Sequence, residues 1–110
     1  MQKKLVSIII NCYNGEKYLF QTLKAILSQT YKEYEVIFID NCSEDSSAKI
    51  FKKIKDVRFK YFKLRKKKTL YSARNFALKK CKGTLITFLD ADDWWDKNFL
   101  YFRKSFFNSS

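Results

Sequence analysis

Leu5-Val-Ser-Ile-Ile-Ile10 is the first apolar run of the chain, short and β-branched, as expected of a strand covered on both faces. The polar stretch Asn11-Cys-Tyr-Asn-Gly15 behind it has turn chemistry. Leu19, Leu23, Ile26 and Leu27 then recur at i, i+4, i+7 and i+8, the spacing of one helix face. Tyr34-Glu-Val-Ile-Phe-Ile39 reads as a second strand. Strand, helix and strand together have the length of a βαβ unit, whose right-handed crossover makes the two strands parallel. The pattern then repeats. Asp40-Asn-Cys-Ser-Glu-Asp45 predicts a loop, with Ser43 or Asp45 capping a helix that runs to about Lys55. Val57-Arg-Phe-Lys-Tyr-Phe62 predicts a third strand and residues 63–68 a basic loop. Leu70, Ala73, Ala77, Leu78 and Cys81 mark another amphipathic helix, closed by Lys82-Gly83, where Gly83 suits the left-handed C′ position. Thr84-Leu-Ile-Thr-Phe-Leu89 predicts a fourth strand. The acidic cluster Asp90-Ala-Asp-Asp93 follows, and then a last helix with Trp95, Phe99, Phe102 and Phe106 on one side.

This alternation predicts an α/β fold, a Rossmann-like three-layer αβα sandwich on a parallel sheet of order 3-2-1-4. In such sheets ligands bind outside the carboxyl ends of the strands. Strand one ends at Asn11 to Asn14, strand two at Asp40 and strand four at Asp90, so the unusual polar residues converge on one rim.

Composition narrows the class. The 110 residues suit one domain, and with 46% hydrophobic and 18% aromatic residues the chain is globular. No apolar run has membrane-spanning length, and no signal-like region follows Met1-Gln-Lys-Lys, which leads to a cytoplasmic expectation. The formal net charge is +12, with cations crowded from Lys52 to Lys68. Such a run fits an anionic membrane surface, a nucleic acid or a solvated face. On the membrane reading the protein is peripheral at the inner face. Cys12, Cys42 and Cys81 are odd in number and widely spaced, which fits neither a disulfide framework nor a zinc site; reduced thiols are expected. Histidine is absent, so any metal must take oxygen ligands. No G-x-G-x-x-G follows the first strand and no P-loop is present.

The acidic cluster is the strongest chemical signal. Two carboxylates ~5.5 Å apart repel by roughly 3 kcal/mol at an effective dielectric of 20. Asp90, Asp92 and Asp93 are therefore stable together only if solvated, protonated or bound to a cation such as Mg²⁺ or Mn²⁺. Asp92 or Asp93 can equally cap the last helix. Asp40 can accept from a base N–H or a ribose hydroxyl, or be a turn residue. Tyr13 can stack on a nucleobase or simply pack. Arg74 can pair with a diphosphate or remain a surface cation.

Five segments resemble the family 2 glycosyltransferases. They are Val6-Ser-Ile-Ile-Ile-Asn-Cys-Tyr-Asn14, Leu27-Ser-Gln-Thr-Tyr31, Val36-Ile-Phe-Ile-Asp-Asn-Cys-Ser-Glu-Asp45, Ser72-Ala-Arg-Asn75 and Gly83-Thr-Leu-Ile-Thr-Phe-Leu-Asp-Ala-Asp-Asp93, in the family's order. The resemblance implies a truncated GT-A fold in which residues 1–110 form a single nucleotide-diphospho-sugar-binding domain. It implies an inverting, metal-dependent transfer, with a UDP-sugar as donor and a cell-envelope polysaccharide or lipid-linked acceptor. Asn11 and Tyr13 would line the nucleotide site, Tyr13 stacking on the base and Asp40 hydrogen-bonding it. Arg74 would lie near base and diphosphate, Asp90 by the ribose and metal, and Asp92 on the Mn²⁺ or Mg²⁺ ion.

The chain departs from the family at Asn11, where Pro is usual, at Asn41, where a second Asp is usual, and at Cys42, where Gly is usual. Lys-Lys-Lys-Thr-Leu-Tyr replaces a Gly-containing loop before Ser72. Family members carry a second half that binds the acceptor and supplies the catalytic base. The expectation is thus a fragment, a truncated product or half of a split enzyme, with no catalytic base assigned and no transfer by the chain alone. Aromatic residues from Trp94 to Phe107 would then favour self-association or a partner chain. The alternatives are a non-catalytic nucleotide-binding or interaction module and a basic nucleic-acid-binding domain.

Overall fold

A computed structural model describes residues 4–91 and 96–100. The elements are β1 (Val6–Cys12), α1 (Glu16–Leu27), β2 (Tyr34–Asp40), α2 (Ser47–Lys52), β3 (Phe59–Lys63), α3 (Leu70–Lys80) and β4 (Leu85–Asp90). All four strands are parallel, as the crossover rule requires, and their order is β3-β2-β1-β4. The expected last helix falls mostly outside the described residues, including Trp95, Phe102 and Phe106. Leu100 is buried against the core and Phe99 packs beside it.

The central strands are apolar on both faces because each face is covered by helices. Ile8, Ile10 and Cys12 of β1 and Val36 and Phe38 of β2 meet Leu19, Leu23 and Ile26 of α1. Phe51 of α2 stacks on Phe38 at 4.2 Å between ring centroids. On the opposite face Ile9, Ile37 and Ile39 meet Ala73 and Ala77, whose small side chains let α3 lie close to the sheet. From β1 the chain builds outward through β2 to β3 with α1 and α2 on one face. It then crosses to the far side of β1, with α3 on the other face, to add β4. The direction of winding reverses between β1 and β4, and a crevice opens at such a switch point.

Several expectations need correction. β1 continues through Asn11 and Cys12, because pairing with Ile39, Asp40 and Asp90 holds these two residues in the ladder. The turn begins later, and Asn14 takes a positive φ of 50°. α2 ends at Lys52, short of Lys55. Its N-cap residue is Ser46, and Ser43 takes no part; Asp45 accepts from the Ser47 amide at 2.9 Å. Gly83 is not a left-handed cap. α3 ends at Lys80, Cys81 is extended, and no described glycine has positive φ. The reason for glycine there is space: a Cβ would lie 2.5 Å from Ser7 Oγ and 2.7 Å from the Leu5 carbonyl oxygen.

That close approach closes a buried polar knot at the amino ends of the strands. Glu35 accepts from Ser7 Oγ at 2.6 Å, from the Lys82 amide at 2.6 Å and from Lys60 Nζ at 2.8 Å. The Gly83 amide donates to Ser7 Oγ at 2.8 Å. Burial alone would raise the Glu35 carboxyl, but Lys60, Ser7 and the Lys82 amide outweigh it and hold it below the ordinary carboxylate range. A carboxyl lowered in the folded state contributes stability that is complete above its unfolded value of about 4.3 and is lost as pH falls through the folded value. Glu35→Gln is accordingly expected to cost about 1–2 kcal/mol near neutral pH and to flatten the acid limb of stability. Denaturant melts between neutral and acid pH check this; parallel pH curves for parent and variant would refute it.

Candidate functional site

The carboxyl ends of β1 and β4 lie side by side, with Asn11 paired to Asp90 in the ladder. Over them opens a groove of about 420 Å³ lined by Asn11, Tyr13, Lys17, Tyr18, Asp90 and Ala91, among others. Gly15, where α1 starts, makes the approach possible, since a Cβ there would meet Ala91 Cβ at 2.9 Å. Asp90 is exposed at the strand end. The Oδ1 atom of Asn11 is buried and has no hydrogen-bond partner among the described residues. A buried acceptor left in that condition costs free energy, which a donor entering the groove recovers.

Side chains alternate across a strand, so the register decides which residues share a face. Ile9 and Asn11 point to the α3 side of the sheet, and their ladder partners Phe88 and Asp90 point with them. Arg74 of α3 sits with its guanidinium 4.6 Å from the Phe88 ring centroid, one pleat repeat from Asp90. Asn11, Asp90 and Arg74 are thus gathered on one face, with Tyr13 at the mouth, 45% exposed.

Asp40 is on the same rim but the opposite face. It aligns with Cys12, and it is 1% exposed. Its Oδ1 accepts from the Ser43 amide at 2.9 Å and its Oδ2 from the Tyr61 hydroxyl at 2.5 Å. Burial, and after it the Asp40 carboxylate, pushes the Tyr61 phenol far above its usual range, so it remains a donor. Asp40 does not line the groove, and its burial keeps it from direct contact with a ligand there. The neighbour that points to the Asn11 face is Asn41. Its Nδ2 donates to the Lys68 carbonyl and its Oδ1 accepts from the Lys68 amide, both at 2.8 Å. Cys42, next in the chain, has a φ of 63°, a conformation that favours glycine.

The loops after β1 and β2 are bonded together. The amides of Asn14, Gly15 and Glu16 donate to Ser43 Oγ, Ser47 Oγ and Asp45 Oδ2 at 2.9, 2.9 and 3.1 Å. In return the Glu44 and Ser46 amides donate to Asn14 Oδ1 and Glu16 Oε2.

Asp92 and Asp93 lie outside the described residues, but both flanks of their segment are held. Thr22 Oγ1 donates to the Ala91 carbonyl at 2.7 Å. Gln29, wholly buried, donates from Nε2 to the Asp96 carbonyl at 2.6 Å and accepts at Oε1 from the Leu100 amide at 2.9 Å. Neither residue is legible as functional from the residue pattern; the only signal is a glutamine placed just past an amphipathic helix. Among the described residues no group of three His, Cys, Asp or Glu side chains gathers. What Asp90 and Asn11 offer is oxygen alone, which fits a hard divalent ion that completes its shell with further carboxylate, water or phosphate oxygens. The cysteines are free thiols, and burial pushes that of Cys12 up, away from nucleophilic use.

A protein of Escherichia coli, UDP-Glc:alpha-D-GlcNAc-diphosphoundecaprenol beta-1,3-glucosyltransferase WfaP, is 47% identical over 92 residues, covering 84% of this chain and 37% of that protein. The putative teichuronic acid biosynthesis glycosyltransferase TuaG of Bacillus subtilis is 35% identical over 98 residues, covering 87% of the chain and 39% of TuaG. The chain thus spans somewhat over a third of the length of these curated relatives. Residues 1–349 of S. aureus TarS, solved also in complex with UDP, superpose with a TM-score of 0.88 at 30% identity, covering 94% of this chain and 32% of that one. The Pyrobaculum calidifontis mannosyltransferase PcManGT, solved with GDP-Man and Mn²⁺, shares the fold at a TM-score of 0.84 and 22% identity, over 91% of this chain and 31% of that one. Residues 7–101 match the family described as Glycosyl transferase family 2, and with the switch-point groove this makes the chain a member of that family.

Proposed function

We propose that the chain forms the donor-binding part of a metal-dependent, inverting glycosyltransferase that takes a UDP-sugar. The observation that carries this reading is the pairing of Asn11 and Asp90 across the switch point, with a buried unpartnered acceptor on Asn11, a residue that lines the groove. Tyr13 stacks on the base, and Asn11 Oδ1 accepts from a base N–H or ribose hydroxyl. Asp90 binds the ribose and, with Asp92, a Mn²⁺ or Mg²⁺ ion. Arg74 swings from Phe88 to the diphosphate side. Asp40 acts at one remove, by fixing the rim through Ser43 and Tyr61. When bound, the ion neutralises charge developing on the leaving diphosphate.

The acceptor, on this reading, is a cell-envelope glycan or a lipid-linked sugar. The base that deprotonates its hydroxyl is a carboxylate outside these 110 residues. On this reading the cations between Lys52 and Lys68 suit an anionic lipid surface, with the protein peripheral at the inner face of the membrane. No described helix is long and apolar enough to cross one. Calorimetric titration with UDP tests the core of the reading. Binding is expected in Mn²⁺ and is expected to collapse in a chelator; equal affinity in both would remove the metal from the site.

A further inference from the structure

The loop between β3 and α3 carries Arg65, Lys66, Lys67 and Lys68 in succession, and like charges this close repel one another. The loop is nevertheless tied at both ends. The Leu64 amide donates to the Asp40 carbonyl at 3.0 Å. Lys68 is gripped through both its amide and its carbonyl by Asn41, and Thr69 caps α3 by accepting from the Ser72 amide. Only a residue that both donates and accepts can hold Lys68 in this way; an Asp at position 41 could accept but not donate. The grip leaves Lys67 beside the groove, with Nζ 3.5 Å from the centroid of the Tyr13 ring.

We infer that Lys67 is a nucleotide-contacting residue of this chain, an inference that rests on the donor-site reading above. Its ammonium and a nucleobase compete for the Tyr13 ring. When a nucleoside diphosphate enters, the ammonium exchanges the ring for a phosphate oxygen, and Asn41 is the positioning residue that keeps it within reach. The exchange runs downhill because a solvent-exposed cation–π contact is weaker than a charge-assisted bond to phosphate. The flexible four-carbon stem lets the ammonium move while the backbone stays pinned.

This predicts opposite responses to two ligands. Lys67→Ala is expected to weaken UDP binding by about tenfold. The same variant leaves uridine, which has no phosphate, bound as well as before or better, because the ring is freed. Both are measurable by chemical-shift titration of the full chain in Mn²⁺. Asn41→Ala is expected to weaken UDP binding in the parent but to add nothing in the Lys67→Ala background, since the two act through one contact. UDP affinity unchanged in Lys67→Ala overturns the inference. So does an equal loss for UDP and uridine, which would reduce Lys67 to shaping the loop. Additive losses remove Asn41 from it, while the Lys67 comparison stands without that variant. A parent chain that binds neither ligand would overturn the donor-site reading itself, a result distinct from failures confined to the variants.

Discussion

Asp90→Ala is expected to weaken Mn²⁺-supported UDP binding by about 10- to 100-fold, while Asp40→Asn leaves it nearly unchanged and lowers stability instead. The two carboxylates end the strands on either side of β1 and are both on the carboxyl rim, yet they face opposite sides of the sheet. Asp90 opens onto the groove with Asn11. Asp40 is buried between Ser43 and Tyr61, so an amide in its place gives up two bonds to a carboxylate and makes the Tyr61 hydroxyl turn from donor to acceptor, at a cost of about 1–3 kcal/mol. Parallel calorimetry and thermal melts on the two variants separate these outcomes. If Asp40→Asn abolished UDP binding while melting like the parent, the assignment of faces would be wrong.

The second large effect is expected at Gln29, far from any direct contact with ligand. Gln29→Leu keeps the volume but leaves the Asp96 carbonyl and the Leu100 amide without their partner. In a site with no access to water the loss is about 2–4 kcal/mol, which corresponds to a fall in Tm of roughly 4–8 °C for each kcal/mol in a domain of this size. The same change frees one flank of the segment that carries Asp92, so Mn²⁺-dependent affinity is expected to fall with it. Thr22→Val, which frees the other flank at Ala91, is expected to act in the same direction. A Gln29→Leu protein that melts like the parent would show that the flank is held by something else.

The layers, the parallel strands and the rim were legible because periodicity and crossover handedness determine them together, and the order 3-2-1-4 is one of the two common doubly wound orders these allow. What separates Asp40 from Asn41 was not. Residues 36–39 are apolar on both faces, so hydrophobic alternation carries no sign of which side Asp40 takes, and only the register against β1 settles it. Asn11 was read as the start of a turn, and it is the penultimate residue of β1. Asn is a turn residue by propensity, and pairing with strands on both sides overrides that preference. Gly83 was read as a cap because glycine after a helix usually is one. Its actual constraint, the approach of Ser7 and Leu5, is a contact between segments far apart in the chain. Gln29 and Asn41 were missed for the same reason. Each acts through backbone groups of a distant segment, and such a role leaves no mark on local pattern.

The amides that begin α1 face a neighbouring loop. Asn14, Gly15 and Glu16 donate to Ser43, Ser47 and Asp45, so the backbone donors that lead into this helix are taken up by the chain's own oxygens. A fold that cradles pyrophosphate on fixed backbone dipoles grips the product as firmly as the reactant. On the donor-site reading proposed above, these three amides are not available to the anion, which is left more to side-chain cations and a dissociable ion. Those can let go. On that reading, release of the spent nucleotide then depends on swinging side chains and ion exchange, and the rate at which the site clears is expected to rise with ionic strength.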